Sequence, residues 1–141
     1  MPAYALVYPM FAMVLLTATV LAVLFRSRVR AVRTGRVSAR YFRVYQGETE
    51  PEDTAKPARH FSNLFEAPVL FYAGCLAAMV TRDTGALPLV LAWLYVATRL
   101  AHTLVHLGPN RLGPRINAYF ASWLVLLAFW LQLVLHVASS P

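Results

Sequence analysis

Three short polar series interrupt an otherwise apolar chain. Arg59, Asn63 and Glu66 recur at i, i+4 and i+7, Arg99, His102 and His106 at i, i+3 and i+7, and Arg115, Tyr119 and Ser122 at i, i+4 and i+7. On α-helices each series falls on a single face. Arg59, Arg99 and Arg115 set fixed positive charges against one carboxylate, Glu66, with Arg111 at the rim. That imbalance suits an anionic guest, because buried guanidinium groups pair with carboxylates or phosphates. Each residue also has a plainer explanation. Arg59 and Arg115 lie where long side chains snorkel to lipid headgroups. Glu66 fits a structural ion pair with Arg99 or with an arginine of a neighbouring subunit, and Asn63 fits an interhelical hydrogen bond. His102 and His106 stand four apart, a spacing that suits a metal. No Cys or second carboxylate accompanies them and Arg99 repels a cation, so no metal is expected.

The elements that must carry these residues are membrane spans. The 141 residues are 59% hydrophobic and only 13% charged, with a net charge of +7. Soluble domains are roughly 45–50% apolar and 25% charged, so there is too little polar surface here for a water-soluble globule. Ala3 to Phe25 holds no charge, and a helix of that length crosses about 30 Å of hydrocarbon. The expected fold class is an all-α integral membrane protein, a single domain over 1–141 built as a four-transmembrane-helix bundle. Its spans are expected at about 3–31, 58–81, 86–107 and 114–137, with a polar loop over 32–57. No basic residue precedes the first apolar run, so it does not read as a cleavable signal peptide.

Threading four spans brings the three polar series to one side of the membrane, within the first two helical turns, as one layer. Twelve of the thirteen basic residues also fall to that side, leaving Arg82 opposite. By the positive-inside bias that side is cytoplasmic and both termini are external. The basic residues cluster from Arg26 to Arg43 beside an apolar span, which reads as topology and anionic-lipid contact, and no nucleic-acid partner is expected. The one cysteine, Cys75, excludes a disulfide framework within the chain. No Gly-rich phosphate loop or Ser/His/Asp signature is present.

Arg59-His60-Phe61-Ser62-Asn63-Leu64-Phe65-Glu66 resembles the R-x-x-x-N-x-x-E motif of the MAPEG family, the membrane-associated proteins of eicosanoid and glutathione metabolism. The block Arg99-Leu100-Ala101-His102-Thr103-Leu104-Val105-His106-Leu107-Gly108, with Arg111, Pro114, Arg115 and Tyr119 after it, is similar to the third and fourth helices of the family's prostaglandin E synthase branch. The chain also resembles bacterial members of the family. The resemblance implies a homotrimer with glutathione, or another small thiol, bound between subunits as a cosubstrate. Arg59, Asn63, Glu66, His102, His106 and Tyr119 would contact the thiol, Arg26 or Arg30 from the end of span one would join them, and Arg115 would be the catalytic thiolate stabiliser. The chain departs from the family pattern at His106, Ser62, Ile116 and Pro68.

The implied reaction is attack of a thiolate on a lipophilic electrophile or hydroperoxide that reaches the site from the bilayer. A cationic, partly desolvated pocket lowers a thiol's pKa, and the thiolate is the nucleophile. The expected partners are a second and third copy of the chain, membrane lipids and a lipophilic small molecule, in a multi-pass protein of a bacterial inner membrane. A rival reading is a non-enzymatic membrane protein that binds anionic lipid, or stabilises an assembly, through the same arginine layer.

Overall fold

The computed structural model describes residues 4–83 and 85–139. Ala3, at the expected start of span one, and Thr84, in the turn between spans two and three, lie outside the described residues. Six α-helices follow in chain order: α1 (Val7–Arg33), α2 (Tyr41–Val44), α3 (Glu52–Asn63), α4 (Ala67–Val80), α5 (Ala86–Leu107) and α6 (Leu112–Ser139). Four segments are long and apolar enough to cross a membrane: α1, the combined α3–α4 segment, α5 and α6. Among the described residues there is no strand.

The second span differs from the single helix expected over 58–81. It starts earlier, at Glu52, so the last part of the expected polar loop is helical, and it is interrupted at Leu64, Phe65 and Glu66. Pro68, in the first turn of α4, explains the break. In a continuous helix its ring would collide with the carbonyl of Leu64 and its missing N–H would leave that carbonyl bare. The chain instead closes α3 with tight bonds from Leu64 N to Phe61 O and Phe65 N to Ser62 O, and restarts at Ala67.

The main core joins α1 (Met13, Val20), α4 (Ala67, Phe71, Cys75, Ala78), α5 (Ala92, Tyr95) and α6 (Leu126, Phe129, Leu133). Large apolar side chains such as Phe11, Leu15, Leu76, Val90, Leu124 and Leu131 point outwards, as expected where the surrounding solvent is lipid. Gly74 lets α4 approach α6 closely: a Cβ there would lie 3.0 Å from the Phe129 ring and 3.3 Å from Trp130. Small residues at such contacts let membrane helices pack backbone to backbone. Gly74→Val is therefore expected to destabilise the protein by about 1–3 kcal/mol, the usual cost of overpacking. Thermal unfolding in detergent checks it, and an unchanged midpoint would mean that Phe129 swings aside without cost.

The segment between α1 and α3 is tied down. The Arg28 guanidinium lies over the rings of Phe42 and Tyr45, at 5.1 and 5.8 Å, and donates to Tyr45 Oη at 2.8 Å. Arg36 makes a two-pronged pair with Asp53, at 2.9 and 3.0 Å. The Ser38 hydroxyl and amide both donate to Glu48, which holds that carboxyl below the usual carboxylate range. At the other end of the bundle the buried Asp83 accepts a hydrogen bond from Gln132 and clasps the α4–α5 turn to α6.

Candidate functional site

A cleft of about 390 Å³ opens between α3, α5 and α6. Its lining is Arg59 and Asn63 from α3, His102 and His106 from α5, and Arg115, Ile116, Tyr119 and Phe120 from α6. Six of the sequence-selected residues therefore meet in one place, and among the described residues no carboxylate lines it. Two arginines with no carboxylate among the lining residues give the cleft a net positive lining, which suits an anion.

The turn between α5 and α6 shapes this site. Gly108 caps α5, and a Cβ there would sit 2.7 Å from the Leu104 carbonyl oxygen, so no other residue fits without rearrangement. Asn110 follows with φ of 49°, a left-handed conformation that Asn tolerates through its short polar side chain. Its Oδ1 then accepts a hydrogen bond from Arg115 Nη1 at 2.9 Å. One nitrogen of the half-buried Arg115 is thus anchored, and the remaining donors are left to the cleft. Helix α6 starts two residues earlier than expected, at Leu112, so Pro114 sits inside its first turn, where its missing N–H matters least. The Arg115 amide donates to Arg111 O at 3.2 Å and is not one of the free N-terminal donors.

Arg99 lies behind the cleft. It is fully buried, donating from Nη2 to the Asn63 carbonyl at 3.0 Å and from Nη1 to Ser122 Oγ at 3.4 Å, with Nε unpartnered. It thereby fastens the end of α3 to α5 and α6. Glu66 corrects the expectation of an ion pair with Arg99. The break after Asn63 takes Glu66 off the face shared by Arg59 and Asn63, leaving it exposed at the N-terminus of α4 without a salt bridge within the described chain. Arg26 and Arg30 also stand apart from the cleft. With Phe25, Val29, Arg33 and Thr34 they line a groove of about 460 Å³ on α1.

One residue of the site was missed from sequence. His60 is fully buried and packs against both cleft histidines, with ring centroids 5.1 Å from His102 and 4.8 Å from His106, while His102 and His106 are 5.6 Å apart. Thr54, Pro57 and His60 form the buried stripe of α3, at i, i+3 and i+6. That spacing is legible in the sequence, but the Arg59 series marks a different face of the same helix, since adjacent residues point about 100° apart. Among the described residues no group of His, Cys, Asp and Glu side chains is arranged to hold a metal ion.

A family model described as the MAPEG family matches residues 6–135. The chain belongs to the MAPEG family. Together with its four apolar helices, that makes it a multi-pass membrane protein. The MAPEG family includes glutathione-dependent transferases and synthases as well as related membrane proteins. Comparison with curated proteins and with solved structures returned no match.

Proposed function

We propose that this MAPEG protein is a membrane-embedded transferase or peroxidase-like enzyme that activates glutathione, or another small thiol, as a thiolate against a lipophilic electrophile or hydroperoxide. The observation that carries this reading is the cleft itself: Arg59, Asn63, His102, His106, Arg115 and Tyr119 converge without a carboxylate. Glutathione, with two carboxylates, one amine and a thiolate, is net negative and matches that charge. The cleft also has an apolar wall, Ile116 and Phe120, both exposed on the outer surface of α6. A lipophilic cosubstrate from the bilayer would meet the thiolate there.

In this reading the protein works as a homotrimer with its cleft on the cytoplasmic side of a bacterial inner membrane. Arg26 or Arg30 of one copy, and Glu66, would complete the site across a subunit boundary, since all three are exposed in the single chain. Thermal unfolding in detergent with and without reduced glutathione tests the proposal. A ligand at a hundredfold excess over its Kd stabilises the native state by roughly 2.7 kcal/mol. No shift with glutathione or with other low-molecular-weight thiols would reject it. The groove formed by Arg26, Arg30 and Arg33 with Phe25 and Val29 favours a second reading, binding of an anionic lipid headgroup without turnover. Stabilisation by anionic vesicles and not by any thiol would select it.

A further inference from the structure

The residues lining the cleft differ sharply in what they can do with a proton. The guanidinium groups of Arg59 and Arg115 offer only donors, Asn63 has no basic site, the phenol oxygen of Tyr119 is a far weaker base than an imidazole nitrogen, and Ile116 and Phe120 are apolar. An acid that ionises in this cleft can therefore hand its proton to only two of the lining side chains, His102 and His106. Behind them, a hydrogen-bond count puts a proton on His60 Nε2. Thr103 Oγ1 donates its single hydrogen to the Arg99 carbonyl at 2.9 Å, so its 2.8 Å contact with His60 Nε2 is one in which His60 donates. The His60 ring is pinned in that orientation and stacks on His106 with an interplanar angle of 29°.

Resting on the thiol reading above, we propose that His106 is the base that takes the proton from the bound thiol. His106 is favoured over His102 by position. It lies in the last turn of α5, where the carbonyl end of the helix dipole favours a cation. His102 is one turn deeper, beside the fully buried Arg99. The groups facing His106 are Lys56, Arg59 and His60 from α3, Arg115 from α6 and His102 on its own helix. Most of these are cations, so the proton does not stay: the site favours transfer onward. His106 Nδ1 is buried and without a partner, leaving Nε2 as the atom for the exchange. In the step the S–H bond breaks, its electron pair remains on sulfur, and an N–H bond forms at Nε2. The resulting imidazolium yields a proton to water at the α5–α6 end, which restores the neutral ring, and no redox change occurs. His60 acts through His106 as a positioning residue.

The test is stopped-flow thiolate absorbance in the ultraviolet on the full-length protein at saturating reduced glutathione, with S-methylglutathione as the blank. His106→Gln is expected to form thiolate roughly 100-fold more slowly, the lower end of what a positioned base contributes. Added imidazole should accelerate that variant and leave wild type unaffected, a rescue that a merely structural role would not show. A variant as fast as wild type, or a slow one that imidazole does not rescue, overturns the assignment. His106→Asn replaces the Gln variant if the latter fails to assemble. Wild type decides independently, because a wild-type rate that rises with imidazole concentration would show that no side chain fills the role. If wild type gains no thermal stability from glutathione or from any other low-molecular-weight thiol, the functional reading falls and this inference falls with it, whereas binding without dependence on His106 sinks the inference alone.

Discussion

Arg115→Ala is expected to keep much of its glutathione affinity while losing thiolate formation and turnover by at least about an order of magnitude. The guanidinium is always charged and more weakly hydrated than an ammonium, which suits its half-buried place in the cleft wall. A cation about 4 Å from a sulfur contributes roughly 4 kcal/mol at an effective dielectric near 20, before desolvation losses. Half of that lowers a thiol pKa by more than about one unit, since each unit corresponds to roughly 1.4 kcal/mol. Binding survives because Arg59, Asn63, His102 and Tyr119 remain. The geometry adds a second arm. Asn110 holds Arg115 through one nitrogen, so Asn110→Ala should weaken thiolate formation less than Arg115→Ala, by loosening the guanidinium without removing its charge. Arg111, just before α6, is the control. Thiolate absorbance against pH for bound glutathione separates these variants. An Arg115→Ala protein that titrates like wild type would refute the assignment, and so would equal losses in Arg111→Ala.

Arg99→Ala is expected to produce the largest loss of stability of any single truncation at the site. Arg99 is the bulkiest of the fully buried side chains. Its removal opens a cavity, which for large apolar residues costs about 2–5 kcal/mol. It also strips the part-buried Asn63 carbonyl of its donor beside the break in span two, at no more than about 1–3 kcal/mol, the range for a fully buried unsatisfied group. Against this stands the relief of a buried charge whose desolvation costs several kcal/mol. The net expectation is a loss of about 3 kcal/mol for Ala, taking the cavity and the bare carbonyl to outweigh that relief in part. Arg99→Met refills the volume of the stem without the charge and should fall between wild type and Ala. Unfolding midpoints in detergent give the order. A Met variant more stable than wild type would show that the charge is a net cost to the fold and is kept for the field it casts on the cleft.

Much of the site was legible because helix geometry is local. An apolar run long enough to span a bilayer becomes a helix, since lipid offers its backbone groups no other partners. On a helix, spacing of three, four and seven residues then puts Arg59 with Asn63, His102 with His106, and Arg115 with Tyr119 before any fold is known. Those pairs do share the cleft. Placing Glu66 on the Arg59 face assumed an unbroken helix through Pro68. The proline was visible, but whether it would kink the helix or interrupt it depends on what donates to the freed carbonyls, and here Arg99 from α5 donates to the one at Asn63. Adjacent residues on a helix point about 100° apart, so the sequence of α3 allowed either Arg59 or His60 to face the bundle interior. Packing against Thr103 and the α5 histidines put His60 inside and Arg59 at the cleft. Sequence alone thus determined the four apolar spans and, within each unbroken helix, the faces on which the polar residues lie, because both follow from backbone hydrogen bonding and helical period. Only the tertiary structure decided which of those faces are buried, that Arg99 bolts the broken span while Arg115 lines the cleft, and that three histidines meet, because each of these depends on side chains brought together from different helices.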